Sequence, residues 1–141
     1  MERFEYAVRL AAAEEGGFVV SCRDLPALVT QGEDRADALA RAADAMDEVF
    51  AVYMDDGLPL PPPSKPRRGE VLVSPPAEMV AKAALHTAMQ AAGVSKLQLA
   101  RRLGVDEKEV RRLLDPHHGS KLPRIAEAVQ ALGKRLVVGL A

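Results

Sequence analysis

Apolar and polar residues alternate strictly along two stretches near the amino end of the chain. Residues 4–10 and 18–22 each place every second side chain, all of them apolar, on one face, as in a half-buried β-strand. The Gly16-Gly17 pair between them predicts a turn, so the two stretches form an antiparallel hairpin. Pro26 cannot donate a hydrogen bond to a ladder, and the strand pattern resumes after it as a third strand over residues 28–31.

The period lengthens to three or four residues after Asp34. Asp34 as N-cap and Asp37 three positions later predict the start of a helix, and Gly57 predicts its end. The apolar stripe of this helix, which we expect to cover the sheet, comprises Leu39, Ala43, Met46, Phe50 and Tyr53. Residues 58–68 contain five prolines and predict an extended connector, and residues 70–73 predict a fourth strand.

Residues 95–114 predict two short helices joined by a tight turn. Ser95 with Gln98, and Asp106 with Glu109, each have the spacing of a capping box. Gly104 lies where the turn requires a residue that tolerates positive φ. The positions that would bury between the two helices hold Leu99, Ala100, Leu103, Val105, Val110 and Leu113. A helix from the prolines at 75 and 76 to Ala92 and another over residues 122–132 complete a four-helix module.

Two helices in this arrangement are typical of a helix-turn-helix, in which the second helix reads DNA. The side chains off its buried face are of types that reach base edges or phosphates. We expect contacts with double-stranded DNA from Lys96, Gln98, Glu107, Lys108, Arg111, Arg112, His117, His118 and Lys121. Lys108 and Arg112 would carry recognition, Glu107 would discriminate, and Lys96 would hold the edge of the site. The alternative is a helical hairpin whose charges are merely solvated.

An apolar segment follows the last helix and predicts a short strand over residues 135–140. A lone strand has no ladder within a helical module, and unpaired backbone groups against apolar surface are costly. We therefore expect the segment to pair with its copy in a second chain and build a dimer. The dimerising side chains would be Leu136, Val137, Val138 and Leu140. The alternative is that the strand joins the sheet of the first domain.

Charge divides the chain more sharply than its net value of −1 indicates. Up to Pro75 there are eight basic and fourteen acidic residues, a net −6, and from Pro76 onward there are eleven and six, a net +5. A basic module favours polyphosphate, whereas an acidic one favours basic proteins. The two halves therefore predict different partners.

Several classes of protein are disfavoured by composition. The apolar runs are short, and the amino terminus MERFEY lacks the regions of a signal peptide, so we expect a cytoplasmic protein without a membrane partner. The single Cys22 cannot form an internal disulfide and is expected to be buried. The adjacent His117 and His118 lack a visible third ligand, so neither a metal nor another cofactor is expected.

Both halves resemble the HicB antitoxin family. Residues 15–64, EGGFVVSCRDLPALVTQGEDRADALARAADAMDEVFAVYMDDGLPLPPPS, match its Gly-Gly hairpin, D-L-P, T-Q-G, helix and proline-rich exit. The stretches KAALHTAMQ, SKLQLARRLGV, EKEVRRLLDPHH and ALGKRL resemble the Cro/C1-type helix-turn-helix that closes one branch of the family. The resemblance implies an α+β fold. A partial ribonuclease-H-like domain over residues 1–74 would hold a small antiparallel sheet with one packed helix, and a DNA-binding and dimerisation domain would occupy residues 75–141.

Three functions are compatible with these patterns. The resemblance implies an antitoxin that binds a HicA-like, mRNA-cleaving toxin and represses its own operon as a dimer or higher even oligomer. An orphan regulator with a sensing domain is the second, and an RNA-cleaving enzyme is the third. Two-metal hydrolysis needs converging carboxylates, and the first strand offers only Glu5, so no catalytic residue is expected. Toxin-binding candidates are Asp24, Asp44, Asp47 and Glu48, although an acidic helix face is more often only solvated.

Overall fold

The computed structural model describes residues 1–141 and contains one four-stranded sheet and five helices. One helix lies between the third and fourth strands, and the other four follow the sheet. The strands are β1 (Tyr6–Ala12), β2 (Phe18–Cys22), β3 (Val29–Gly32) and β4 (Glu70–Val73). The helices are α1 (Arg35–Asp55), α2 (Ala77–Ala92), α3 (Lys96–Leu103), α4 (Glu107–Leu114) and α5 (Leu122–Ala131). The architecture is therefore α+β, as the sequence predicts. None of these helices combines the length and apolar character that crossing a membrane requires.

The sheet is antiparallel throughout, with strand order β3-β2-β1-β4. The predicted hairpin, third strand and fourth strand are confirmed, but β1 starts two residues later than expected and extends to Ala12. The shift follows from pairing, because Ala11 and Ala12 lie opposite Val19 and Phe18 and the turn begins only at Ala13. Cys22 is buried and unpaired as predicted, and burial raises the pKa of its thiol.

Helix α1 begins with the predicted cap. The Asp37 backbone N–H donates to Asp34 Oδ1 at 2.8 Å, and the Glu33 N–H donates to Asp37 Oδ2 at 2.9 Å. The buried stripe differs by about one position from the predicted one, since Leu39, Ala43 and Tyr53 are only half-buried. The fully buried positions are Ala38, Ala42, Met46 and Phe50. Small residues face the sheet at the start of α1, which lets the helix backbone approach it closely.

The proline-rich connector, residues 58–66, has no regular secondary structure and is fixed by polar contacts. Tyr6 Oη donates to the Pro61 carbonyl at 2.6 Å, and the Ser64 N–H and hydroxyl both donate to the Asp24 carboxylate at 2.7 Å. Arg23 forms a two-pronged pair with Glu70, both contacts at 2.8 Å. The same guanidinium donates to the Lys65 carbonyl at 3.0 Å.

The chain divides into two compact units. The first unit comprises residues 1–52 and 60–77, and the second comprises residues 53–59 and 78–141. Asp55 and Asp56 therefore belong to the second unit. The net charges are then −4 for the first unit and +3 for the second, compared with −6 and +5 for the halves divided after Pro75. The first unit nevertheless stays acidic and the second basic.

The core of the second unit lies between α2, α3, α4 and α5. Its buried residues are Ala81, Leu85, Leu99, Ala100, Val110, Ile125, Ala128 and Val129. Residues 134–141 follow α5 without regular secondary structure, so the predicted strand is not formed in the single chain. They are also absent from the four-stranded sheet, which rules out the alternative that they extend it in this structure.

Candidate nucleic-acid interface

The start of α3 and the turn after it are built as the sequence predicts. The Ser95 hydroxyl accepts from the Gln98 N–H at 3.1 Å, and the Gln98 side-chain oxygen accepts from the Ser95 N–H at 2.8 Å. Gly104 ends the helix in the left-handed conformation, with φ of 67°. An L-residue with a side chain is disfavoured there, so glycine fixes the angle at which the chain leaves α3.

The cap of α4 differs from the predicted capping box. Asp106 caps the helix, but its carboxylate accepts from the Lys108 N–H at 2.8 Å rather than from the residue three positions later. The Glu109 side chain does not return the contact and lines a surface cleft instead. The cap is therefore one-sided, although the Asp106 carboxylate still complements the positive end of the helix dipole.

The two helices pack through the predicted apolar positions. Leu99, Ala100 and Val110 are at most 2% exposed. Leu103, Val105 and Leu113 are half-buried and pack against the same cluster. This packing leaves the opposite face of α4 to solvent, where Lys108, Arg111 and Arg112 are exposed.

The nine predicted DNA-contacting residues all lie in the second unit, and eight of them are exposed. Glu107 is the exception, since it is half-buried and its Oε1 accepts from Arg111 Nη2 at 3.0 Å. This pair joins successive turns of α4 and restrains both side chains. The Gln98 side-chain oxygen accepts a hydrogen bond in the cap of α3, so the predicted DNA contact of this residue would have to come from its amide nitrogen.

Two clefts separate the predicted residues into groups. A cleft of 190 Å³ brings together Arg112, His118 and Lys121, and also Arg124 from α5. A larger one of 650 Å³ brings together Lys96, Arg111 and His117. Gln98, Glu107 and Lys108 line neither cleft. Sequence reasoning missed Arg124. This residue lies three positions after Lys121, on the first turn of α5, and that spacing could have indicated it.

His117 lies beside two carboxylates, and one of them, Asp55, is not revealed by its sequence neighbourhood. Its Nε2 is 2.8 Å from Asp55 Oδ2, and its backbone N–H donates to Asp115 Oδ1 at 2.8 Å. The possible ligand atoms of the three residues lie within 4.8 Å of one another. All three side chains are exposed, and hydrogen bonds among them account for the arrangement. His118 is not part of this group and lines the smaller cleft instead.

Lys82 is a buried polar residue of this unit that sequence reasoning also missed. It is 1% exposed, and its Nζ donates to the carbonyls of Arg112 at 2.9 Å, Leu113 at 3.2 Å and Asp115 at 2.8 Å. A fourth contact goes to Ser120 Oγ at 3.0 Å. Burial lowers the pKa of the Lys82 ammonium, and the negative charges of Asp115 and Glu78 oppose this shift.

Comparisons with known proteins identify the family of the chain. Residues 5–84, more than half of the chain, match the family model described as HicB_like antitoxin of bacterial toxin-antitoxin system. The chain is 36% identical over 131 residues to Antitoxin HicB of Escherichia coli strain K12, covering 93% of this chain and 95% of the relative. The chain belongs to the HicB-like antitoxin family. Antitoxin HicB of Pseudomonas fluorescens is 35% identical over 97% of this chain and 94% of its own length. Antitoxin HicB 1 of Photorhabdus laumondii is 32% identical over 99% of this chain and 89% of its own length.

Family membership shows an antitoxin of a toxin-antitoxin system and points to a regulatory rather than an enzymatic role. The candidate toxin contacts lie in the first unit. Asp44 and Glu48 are exposed on α1, whereas Asp47 is half-buried. Asp24 is also half-buried, and both of its carboxylate oxygens accept from Ser64. Its observed contact therefore stabilises the connector, and α1 offers the more accessible acidic surface.

Proposed function

We propose that this antitoxin represses its own operon by binding double-stranded operator DNA through α3 and α4. The supporting observation is that α4 buries Val110 while Lys108, Arg111 and Arg112 remain exposed beside it. A helix held on one side by a core can place its other side in a major groove. The cleft that contains His118, Lys121 and Arg124 also contains Arg112. Its basic residues outnumber the acidic Glu109 and Glu127, so it is suited to phosphate contacts next to that helix.

Mobility shifts with operator and scrambled duplexes test this proposal. Arg112→Ala should cost about 1–3 kcal/mol of operator binding and relax sequence preference if its guanidinium reads a base. Arg68→Ala is the matched control, because it removes one exposed positive charge from the first unit. The assignment to α4 is wrong if the two variants bind operator equally well.

We further propose that the first unit neutralises a HicA-like toxin in the cytoplasm by direct binding, without chemistry of its own. Its net charge of −4 and the exposed acidic residues of α1 support this assignment. Complementary charge speeds encounter with a basic partner even where it adds little net affinity. The mRNA-cleaving toxin would then be held by surface contact alone.

Charge reversal on α1 tests toxin binding. The double variant Asp44→Lys, Glu48→Lys should lose copurification with the toxin from the neighbouring gene and should no longer protect cells. The double variant Glu14→Lys, Glu15→Lys reverses the same charge in the exposed turn after β1 and should behave as the wild type. Failure of the wild type itself to bind any neighbouring gene product would favour the orphan regulator.

We also propose that residues 135–140 pair with a second copy of the chain. Val138 is 80% exposed and Leu140 fully exposed, while Leu136 packs against the core of the second unit. An isologous strand pair would cover the exposed side chains and hold two α4 helices about 34 Å apart, one turn of DNA. Val138→Asp should therefore give a monomer by light scattering, with weaker operator binding. Val29→Asp changes a comparably exposed valine and is the control.

A further inference from the structure

The carboxyl end of α4 is bound by a buried ammonium. The last carbonyls of a helix have no partner within the helix. Here the carbonyls of Arg112 and Leu113 in α4, and that of Asp115 directly after it, accept from Lys82. Lys82 comes from the middle of α2, a separate helix thirty residues earlier in the chain. One side chain thus joins the recognition helix to the helix behind it.

The segment after α4 is held by the same part of α2. Lys82 Nζ also contacts Ser120 Oγ at 3.0 Å, and the Ser120 N–H donates to Glu78 Oε1 at 3.3 Å. Glu78 and Lys82 lie one turn apart on α2, so together they fix both ends of residues 115–120. This segment carries His117 and His118 and leads directly to Lys121.

Burying an ammonium group in a helical core carries a large free-energy cost. Desolvation of a charged group costs several kcal/mol unless hydrogen bonds and opposite charge compensate. An apolar residue would have filled the position, since five of the six other buried positions of α2 hold alanine, leucine or methionine, and only His86 is polar. What an apolar side chain cannot do is hold backbone carbonyls in fixed directions, because it has no donor.

We propose that Lys82 is a positioning residue for operator recognition, and this inference rests on the proposed DNA-binding function. Lys82 fixes the end of α4 and residues 115–120 as one body. The base-facing Lys108 and Arg112 then keep a constant geometry relative to the phosphate-facing His118 and Lys121. Recognition of a particular sequence needs both groups to reach the duplex in the same register, whereas general attraction to phosphate does not.

The variant Lys82→Met tests the proposal, because it keeps an unbranched side chain, one atom shorter, and removes the three N–H donors. Affinities for operator and scrambled duplexes are measured over a range of salt concentrations, after circular dichroism has confirmed the fold. We expect the operator-to-scrambled affinity ratio to fall about tenfold, as for loss of one base contact. The salt dependence should stay that of the wild type, since the buried Lys82 ammonium is not accessible to a phosphate.

Lys121→Met is the matched control, since it removes an exposed lysine from the same unit. It should lower the slope of log affinity against log salt by about one while preserving the ratio. If Lys82→Met behaves like Lys121→Met, Lys82 acts through its charge and the inference fails. If folded Lys82→Met keeps the wild-type ratio, its role is structural only and the inference also fails.

Two further outcomes are decided by the same measurements. If Lys82→Met does not fold, Ser120→Ala replaces it. This variant removes one of the four acceptors of Lys82 and the 3.4 Å contact from the Ser120 hydroxyl to the Arg112 carbonyl, and it leaves the three carbonyls bound to Lys82. It should lower the affinity ratio by a smaller factor, and an unchanged ratio overturns the inference. A wild-type chain that does not discriminate operator from scrambled duplex defeats the proposed DNA-binding function itself, and the inference falls with it.

Discussion

Gly32→Ala should separate the two proposed activities of the chain. Gly32 ends β3 where the first turn of α1 passes over it. A Cβ at this position would lie 2.3 Å from the Ala38 nitrogen, 2.5 Å from the Ala38 Cα and 2.8 Å from the Asp37 carbonyl carbon. All three atoms belong to the backbone, so no side-chain rotation can relieve the contact. The substitution must push α1 away from the sheet.

The size of the effect follows from those distances. Overpacking a well-packed site typically costs about 1–3 kcal/mol, and a clash with helix backbone belongs at the upper end, so we expect a loss of about 3 kcal/mol. Gly16→Ala is the control, because Gly16 has φ of 96° but no atom lies within 4 Å of the point that its Cβ would occupy. There only backbone strain acts, at about 1–2 kcal/mol.

Amide hydrogen exchange measures both variants, because it reports stability segment by segment. In Gly32→Ala, amides of β1 and β2 should lose protection, whereas those of α3 and α5 should not. Cells carrying this variant should lose protection against the toxin while operator binding persists. The packing argument is refuted if Gly32→Ala destabilises the sheet no more than Gly16→Ala does.

Three further substitutions test individual contacts. Hydrogen bonds from the Arg23 side chain and the Arg67 N–H lower the pKa of the Glu70 carboxyl from 4.5 to about 2. The ionised carboxylate therefore stabilises the first unit above pH 4.5, and this contribution is lost as the pH falls toward 2; the stability of Glu70→Gln in acid unfolding should lack this pH dependence. Asp106→Ala should cost about 1 kcal/mol by removing the cap of α4, measured by urea unfolding, and should weaken operator binding in proportion. Val110→Ala, at a position with 0% exposure, should cost about 1.5–3 kcal/mol in the same assay, and a near-neutral result would contradict the buried packing of α4.

Local patterns predicted those parts of the fold that local physics determines. The hairpin, the αL turn at Gly104 and the cap at Ser95 each depend on a few neighbouring residues, and each is confirmed. The observed start of β1 and the observed buried stripe of α1 differ from the predicted positions. Strand pairing determines the first, and the close approach of the helix to the sheet determines the second. Leu39 and Ala38 are equally acceptable to a periodic pattern, and only the approach at Gly32 selects Ala38 for the sheet.

Polar residues inside the second unit could not be predicted in this way. A lysine at position 82 looks like an exposed residue of an amphipathic helix, and His86 could equally be a surface residue. His86 is instead buried, with its Nε2 2.8 Å from the Leu58 carbonyl oxygen, and the neighbouring Gln90 donates to the Gly57 carbonyl at 2.9 Å. These side chains bind backbone groups that are distant in sequence, and no pattern within α2 encodes where those groups lie.

The carboxyl-terminal segment has a strand pattern that the single chain does not satisfy. Its apolar residues favour a strand, yet a strand requires a ladder, and residues 134–141 find none within the single chain. Among these apolar residues only Leu136 is partly buried, because it packs against the helical core, whereas Val137, Val138 and Leu140 are exposed. Exposed apolar side chains next to unpaired backbone groups are the features that a second copy would satisfy at once. The light-scattering comparison of Val138→Asp with Val29→Asp therefore tests the origin of the pattern itself, because only the first change lies where a two-fold partner strand would pair.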